Sequence, residues 1–423
     1  MWNFINGRES NDFFRFWFAQ LITQFGDRVF QMALVALITA LYPGSVMAMS
    51  IVFLFAIVPA FIIGPIAGVY IDRWDRRTVL FISYFIQGVL VLLAAFYLIH
   101  LPVIWPMYAV VFIISSLGRF YIPAKMAFIP EIVRKDDLHV ANSLSTITGM
   151  IAGGLGVLLG SWIVERTGYF AGFCWDGICY VFSAALVMTI TALHHRLPDR
   201  QAIITRTREI IQVEKSVWHE ISDGIRYIRS QPEIKFMFWM MAILLAAVGA
   251  IYVVIIVFIQ QAFHSVTKDL GILAVSLVVG SFLGSLAYGK WGKKIASEVV
   301  MFWSLILGGA LTILFVTTVD ATHSRWAALG LSFILGFVVG PDMVAPFALI
   351  NKICAMEMSG KVFAALEFVV YLAFLLAMMV SSVLSWYIPR IWILIAVGGI
   401  FMVVGFIGLA RNKGRAALQG TLR

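Results

Sequence analysis

The sequence predicts an all-α polytopic membrane protein with twelve transmembrane helices, arranged as two parallel-repeat bundles of six. Three observations lead to this prediction: the composition, a series of long apolar segments, and an internal repeat. Of the 423 residues, 61% are hydrophobic and only 13% are charged, whereas a soluble protein carries about 25% charged residues. Because no soluble core explains so large a difference, most of the chain is expected to contact lipid.

The apolar segments are bounded by charges, proline or glycine, and each is long enough to cross a hydrocarbon layer of about 30 Å as a helix. The first segment is longer than a signal-peptide core and lacks a small-residue cleavage site, so no cleavable signal peptide is expected. The predicted spans are 13–42, 46–71, 78–99, 103–123, 139–165, 169–193, 236–261, 270–289, 298–319, 326–350, 361–386 and 391–410.

The basic residues predict the orientation of these spans. Of the 31 Lys and Arg residues, 26 lie in the termini and in the loops on the same side, four lie in the opposite loops, and Arg28 lies within a span. Since cytoplasmic loops carry the excess of positive charge, both termini are predicted to be cytoplasmic, in a cell inner membrane. The net charge of +9 is therefore a feature of topology, and nucleic-acid binding is not predicted.

An internal repeat divides the chain into halves. LGRFYIPAKMA from Leu117 matches LGFVVGPDMVA from Leu335, and GPIAGVYIDRWDRR from Gly64 matches GSFLGSLAYGKWGKK from Gly280, at offsets of 218 and 216 residues. An even number of spans in each repeat makes the two repeats parallel, which is an arrangement found in transporters.

The repeat predicts a domain organisation with two bundles and a polar connector. The N-terminal bundle is expected at 1–193, and the C-terminal bundle, with a basic tail, at 236–423. In the connector, 194–235, isoleucine and valine recur at mostly helical spacing among charges. This pattern is typical of an amphipathic helix on the cytoplasmic membrane face, in contact with membrane lipids; a simple tether is the favoured role over a regulatory one.

The loop between spans 2 and 3 carries a family resemblance. GVYIDRWDRRTVL, residues 68–80, resembles the signature Gly-x-x-x-Asp-Arg-x-Gly-Arg-Arg/Lys of the major facilitator superfamily, with Asp75 in place of the second glycine. AQLITQFGDR in the first span, IPEIV followed by ANSL, and DGIRYIRSQP before span 7 resemble its macrolide-efflux and enterobactin-exporter-like branch. This resemblance implies a secondary exporter that works by alternating access, with spans 1, 4, 7 and 10 around a cavity.

The same loop predicts a gate on physical grounds. Asp72 lies at a helix end, between Gly68 and Arg73. It is expected to accept hydrogen bonds from a neighbouring helix N-terminus or from Arg76 or Arg77. Such a charged contact can break and form again as the halves move. The alternative is a static anchor that only fixes the topology.

The first span carries polar residues where lipid is expected. At 100° per residue, Gln20, Gln24, Asp27 and Gln31 form one stripe about 60° wide, and Arg28 lies beside it. Because polar groups in contact with lipid are costly, the stripe is expected to face protein or a water-filled cavity, as a substrate or proton site. Asp27 is the predicted proton carrier; a structural ion pair, with Arg28 or with another helix, is the alternative.

Other charged residues also lie within predicted spans. Asp342 follows Gly340-Pro341, so its helix is expected to be broken, and the residue is assigned equally to a cavity role and a structural one. Arg119 lies closer to the cytoplasm than the mid-helix Arg of many proton-coupled superfamily members, and this departure weakens the usual antiporter mechanism. Asp176 and Glu367 are predicted to be packing or interhelical hydrogen-bonding groups.

Glycines predict close helix packing at two places. Gly-x-x-x-Gly spacing lets neighbouring helices approach closely. The fifth span is expected to pack against the eighth through its glycines, and the eighth carries its own pair near the cytoplasmic end. These residues are Gly153, Gly154, Gly156, Gly160, Gly280 and Gly284.

The residue patterns also bear on the class of function. The histidines are scattered over loops on both sides, the three cysteines have no metal or redox spacing, and no hydrolase or phosphate-binding motif occurs. An enzyme, a metal site and a cofactor are therefore not predicted. The predicted function is export of an amphipathic small molecule, such as a macrolide, siderophore or peptide, by a monomer that exchanges it for protons. The alternatives are a lysophospholipid flippase and, less favoured, a non-transporting sensor or scaffold.

Overall fold

The computed structural model describes the backbone of residues 8–64, 67, 74–97, 104–190, 222–292, 297–343 and 356–421. Every regular element in these ranges is a helix, and none is a strand. In chain order the helices are α1 Arg8–Leu41, α2 Val46–Ile62, α3 Arg76–Phe96, α4 Trp105–Ile132, α5 Leu138–Met188, α6 222–230, α7 Pro232–Phe263, α8 Lys268–Trp291, α9 Ser297–Thr322, α10 Arg325–Val339, α11 Met356–Leu384 and α12 Arg390–Thr421. Two 3₁₀ turns, Lys135–Asp137 and Gly340–Met343, precede α5 and follow α10.

The helices match the predicted spans closely. Within the described residues, each of the twelve predicted spans overlaps a helix, and nine helices are long and apolar enough to cross a membrane. One of these nine, the 51-residue α5, contains two predicted spans. The predicted break in the tenth span is also present, because α10 ends at Val339 and continues as the 3₁₀ turn Gly340–Met343.

The chain reverses direction inside α5 at a single residue. Gly168 has φ 80° and ψ 171°, a non-helical conformation within an otherwise helical run. A side chain at this φ is strained, so glycine suits the position. The predicted boundary between spans 5 and 6, at 165–169, therefore coincides with a turn that needs almost no loop.

The described helices fall into two compact units. The first comprises Met1–Pro43, Ile51–Trp218 and Val266–Gly271, and the second comprises Gly44–Ser50, His219–Ser265 and Ile272–Arg423. In the first unit α1 packs on α5, and α3 packs on α4 and α5. In the second unit α7 packs on α11 and α12, and α9 packs on α10 and α12.

The described part of the predicted connector belongs to the second unit. Residues 191–221 lie outside the described ranges, and the remainder forms α6. Gly224 and Ile228 of α6 are buried, and a side chain on Gly224 would meet the backbone of Lys361 in α11. The Lys361 Nζ–Asp223 Oδ2 ion pair, at 3.0 Å, joins the same two helices.

Small residues bring α1 close to the second half of α5. Ala19, Gly26 and Ala33 recur every seven residues, a spacing that keeps them on one helix face. Ser183 Oγ donates to the carbonyl oxygen of Ala19 at 3.0 Å, and Gly172 lies against the Ala33 side chain. The contacts run in opposite directions along the two helices, as expected for neighbouring antiparallel spans.

A second close approach joins α8 and α10 in the second unit. Gly280 and Gly284 of α8 lie against the α10 backbone, while Gly336 and Gly340 lie against the α8 backbone. A β-carbon built on Gly284 would stand only 2.0 Å from the carbonyl oxygen of Phe337. The two helices thus meet backbone to backbone at four glycines, with no room for side chains.

The start of α8 is capped from the first half of the chain. The Glu165 carboxylate accepts backbone N–H groups from Val266, Thr267 and Lys268 at 3.2, 2.6 and 3.1 Å. The first N–H groups of a helix have no partner within it, and an anion there is favoured. The segment Val266–Gly271 thus contacts residues of the first unit and belongs to that unit.

Candidate functional site

The first part of the predicted polar stripe is used for helix packing. Gln20 is 0% exposed; its Nε2 donates to the Ser145 carbonyl oxygen at 3.2 Å, and Ser145 Oγ donates to Gln20 Oε1 at 2.7 Å. Gln24 lies against Gly149, one turn further along α5. Gln20 therefore faces protein, one of the two surroundings expected for the stripe, and its amide is satisfied by α5.

We expect Ser145→Ala to destabilise the protein. The substitution leaves the buried Oε1 of Gln20 without its donor, a loss that typically costs about 1–3 kcal/mol. Thr146→Ala is the matched control, since the exposed Thr146 hydroxyl bonds only to its own helix, at Asn142. Thermal unfolding in detergent should show a lower midpoint for Ser145→Ala alone, and equal midpoints would contradict the assigned hydrogen bond.

Arg28 is directed away from Asp27. Its Nη1 donates to Oε1 of Gln31 at 2.9 Å, in an exposed pair one helical turn apart. The aliphatic part of Arg28 packs against Gly156 of α5. Among the described residues no ion pair joins Asp27 and Arg28, so the structure gives no support to the alternative of an Asp27–Arg28 ion pair.

Asp27 is held by a tyrosine from the second half of α5. The Tyr180 hydroxyl donates to Asp27 Oδ1 at 2.5 Å. The Tyr180 ring lies 5.8 Å, between centroids, from that of Tyr84 in α3, which lies 5.8 Å from that of Tyr121 in α4. Asp27 is only partly buried, whereas Tyr84 and Tyr180 are buried. With Asp176, these residues are called the tyrosine–carboxyl cluster below.

Two glycines explain how α3 and α5 bring these tyrosines together. A β-carbon on Gly88 of α3 would stand 3.1 Å from the carbonyl oxygen of Gly177 of α5, and the reverse contact would measure 3.2 Å. Tyr84 precedes Gly88 by one turn and Tyr180 follows Gly177 by nearly one turn, so antiparallel helices place the rings side by side. The close contact between α3 and α5 therefore helps to position Tyr180, whose hydroxyl donates to Asp27.

Asp176 completes the cluster. It is 1% exposed, and neither of its carboxylate oxygens has a hydrogen-bond partner in the described part of the chain. Its Oδ1 lies 2.6 Å from where a β-carbon on Gly26 would stand, next to Asp27. The prediction of an interhelical hydrogen-bonding role for Asp176 is therefore not met by any described donor, although burial agrees with a packing position.

In the sequence, the α5 residues of the cluster belong to a polar stripe. Asp176, Tyr180 and Ser183 recur at spacings of four and three residues in an apolar span, which places them on one helix face. Tyr84 also follows directly after Ser83 and lies one turn before Gly88 in α3. Sequence analysis named Asp176 but missed both tyrosines, because tyrosine is common in apolar spans.

Asp342 is a separate buried carboxyl in the second unit. It is 4% exposed; Ser304 Oγ of α9 donates to its Oδ2, while its Oδ1 has no partner among the described residues. The Gly340–Met343 turn that carries it is held by Ser285 Oγ, which donates to the Gly340 carbonyl oxygen at 2.8 Å. The break after Val339 thus turns this acid toward α9.

The glycines of the fifth span have a different partner from the predicted one. Gly156 and Gly160 lie against Arg28 and Val29 of α1, and Gly153 and Gly154 have no neighbouring atom within 4 Å of a built β-carbon. The fifth span does meet the start of α8, where Gly271 lies against Val157 and Ser161, but these four glycines are not the residues that make this contact. Their contacts follow from the extensive packing of α1 along α5.

An apolar groove borders the cluster on the outer surface of the first unit. It has a volume of about 480 Å³ and is lined wholly by apolar atoms of α1 and α5. Leu21, Phe25, Leu155, Trp175 and Phe182 form much of its wall, and Cys179, which also touches Gly26, forms its inner end. No group of three metal-ligating side chains occurs in the ranges that the structure describes.

Comparison with known proteins decides the family. A sequence model of the Major Facilitator Superfamily matches residues 16–264, more than half of the chain. The chain belongs to this superfamily. It is therefore a multi-pass membrane transporter, and the described helices have the superfamily fold.

Individual relatives of this superfamily member are distant. The chain is 23% identical over 408 residues to the "uncharacterized MFS-type transporter YfiS" of Bacillus subtilis strain 168, covering 93% of this chain and 92% of the relative. It is 26% identical over 325 residues to macrolide efflux protein A of Streptococcus pyogenes, covering 71% and 73%. Among solved structures, the nucleoside transporter NupG matches with a TM-score of 0.68 at 13% identity, covering 95% of this chain and 98% of that one.

The superfamily signature between spans 2 and 3 is only partly described. Gly68, Asp72 and Arg73 lie outside the described residues. Arg76 forms an ion pair with Glu131 of α4, and Arg77 donates to the carbonyl oxygens of Val187 and Met188 at the end of α5.

The signature arginines therefore tie helices of one unit together. Asp75, the departure from the signature, caps α3 by accepting the Thr78 N–H at 2.8 Å, a role that aspartate fills well. The departure thus has a structural reason. The Arg119 side chain, by contrast, has a buried Nε with no partner among the described groups.

Proposed function

We propose that this transporter exports amphipathic small molecules in exchange for protons, by alternating access. The observation that carries the proposal is the hydrogen bond from Tyr180 to the partly buried Asp27. A carboxyl group in a membrane-spanning helix is costly unless it is used, and such groups often relay protons. Asp27 has a defined donor and forms no ion pair with a described cation, so it can alternate between charged and neutral forms.

The direction and the substrate class are proposed from a relative and from the pattern of basic residues. Macrolide efflux protein A of Streptococcus pyogenes is named for export of a large amphipathic compound, and the chain is 26% identical to it. The positive-inside pattern supports an inner membrane location with both termini in the cytoplasm. Topology does not set the direction of net flux; export follows from the proposed exchange, because protons entering the cell down their gradient would drive the substrate outward.

A lysophospholipid or lipid flippase of the same fold is the second candidate. The apolar groove between α1 and α5 favours it, because a wholly apolar wall of about 480 Å³ suits an acyl chain better than a polar drug. A flippase would act on lysolipids and leave macrolide susceptibility unchanged.

The test is a susceptibility and accumulation panel with macrolides, dyes, siderophores and lysolipids in cells with and without the protein. We expect lower accumulation of one amphipathic class, and the same compound should move into inverted membrane vesicles only when a proton gradient is present. Collapse of the gradient with an ionophore is the control. Export that is unaffected by this collapse would contradict proton coupling, and movement of lysolipids alone would favour the flippase.

A further inference from the structure

Asp176 lies in the interior of the first unit. The side chain is 1% exposed, and both carboxylate oxygens lack a hydrogen-bond donor among the described residues. An ionised carboxylate in an apolar interior costs many kcal/mol when it has neither a cation nor donors. In this conformation Asp176 is therefore neutral, with a proton on one oxygen.

Titratable groups from several helices lie near Asp176 and its neighbour Asp27. Asp27 of α1 and Cys179 and Tyr180 of α5 interact electrostatically with Asp176. Arg28 of α1, Tyr84 of α3 and Tyr121 of α4 interact in the same way with Asp27. The nearest acid is Asp27, whose neighbour Gly26 contacts Asp176. Arg28 acts electrostatically on Asp27, but its hydrogen bond is to Gln31, and no ion pair joins it to either acid among the described residues.

The two carboxyl groups differ in their environment. Asp27 is partly buried and accepts the Tyr180 hydroxyl at 2.5 Å, which favours its ionised form. Asp176 is enclosed and has no such donor among the described groups. Because two like charges this close in a poorly solvated site cannot both form readily, a single proton held by the pair resides on Asp176.

We propose that Asp27 and Asp176 form a proton-binding pair, in which Asp176 stores one proton and exchanges it through Asp27. In the exchange step the O–H bond of Asp176 breaks as an O–H bond forms on Asp27, and Asp27 then passes the proton to water. The negative charge moves from Asp27 on α1 to Asp176 on α5, and the hydrogen bond of Tyr180 then goes to a neutral Asp27. This inference rests on the proposed proton coupling and assigns it to two residues.

The test is infrared spectroscopy of the full chain in lipid nanodiscs. Because Asp342 is a second buried carboxyl, the measurements are made in an Asp342→Asn background. In this background the C=O stretching band of a protonated carboxyl is expected at neutral pH, lost when Asp176→Asn is added, and retained when Asp27→Asn is added. Asp75→Asn is the control, since this partly exposed cap should leave the band unchanged. Asp176→Ser provides a second variant if the asparagine does not fold. A band that persists in both Asp176 variants would overturn the proposal.

A transport measurement separates this proposal from the proposed function. Vesicles containing wild-type protein or Asp176→Asn are loaded with a macrolide, and efflux is compared with and without a proton gradient. We expect the variant to lose the response to the gradient but to retain downhill exchange of the macrolide. A variant with the full response would overturn the role of Asp176 alone, whereas a wild type without any response would contradict the proton coupling proposed above.

Discussion

Replacement of Asp27 by asparagine is expected to abolish proton-driven transport while leaving the protein folded. Asparagine has nearly the same shape and can still accept the Tyr180 hydroxyl, but it cannot exchange a proton. We expect uptake into inverted vesicles under a proton gradient to fall by about tenfold or more, since loss of a positioned proton-transfer group commonly costs at least this much. The measurement is the initial rate per amount of protein, with the amount determined by size-exclusion chromatography.

The control for this prediction is Asp75→Asn. It makes the same chemical change at a site where asparagine caps a helix as well as aspartate does, so folding and transport should be unchanged. Tyr180→Phe provides a second comparison, because it keeps the acid and removes only its donor. Undiminished gradient-driven uptake in Asp27→Asn would place proton coupling in another part of the protein, and Asp342 would be the next residue to test.

Gly284→Ala is expected to destabilise the contact between α8 and α10. The new β-carbon would stand 2.0 Å from the Phe337 carbonyl oxygen, and a backbone atom cannot move aside without separating α8 from α10. Overpacking of this kind costs roughly 1–3 kcal/mol, and it outweighs the gain in helix propensity from alanine. We expect the thermal midpoint in detergent to fall by several degrees, with less monodisperse protein after purification.

Gly289→Ala is the matched control on the same helix. No atom lies within 4 Å of a β-carbon built there, so alanine should be neutral or slightly stabilising, because it favours the helix by about 1 kcal/mol over glycine. Equal midpoints for the two alanine variants would show that the α8–α10 contact is looser than the structure indicates. Gly336→Ala tests the same contact from the other helix.

The fold was largely predictable because its signals are local. Apolar length and bounding charges located the twelve spans, and the Gly340-Pro341 pair predicted the break that the 3₁₀ turn now shows. The superfamily was predicted correctly from an ordered set of short motifs, and the match over 16–264 confirms it. These features depend on residues that are neighbours in the sequence.

The candidate site was less predictable because it depends on which helices meet. Helical periodicity placed Gln20 and Asp27 on one face of α1, but it contains no information about the helix opposite. That helix is α5, so Gln20 became a packing residue bonded to Ser145. For the same reason Gly156 was assigned to the wrong partner. Tyr180 was missed, since only the α1–α5 contact brings its hydroxyl to Asp27.

The turn at Gly168 has a mechanical consequence. Two antiparallel spans, the arms of α5, are joined by one non-helical residue. Because the connection is this short, a movement of one arm is expected to move the other. Asp27 and Gln20 lie on a helix that grips both arms, one through Tyr180 and the other through Ser145. We expect a loop inserted after Gly168 to add flexibility at this joint, so that the arms would stay connected mainly through α1, by Tyr180 and Ser145.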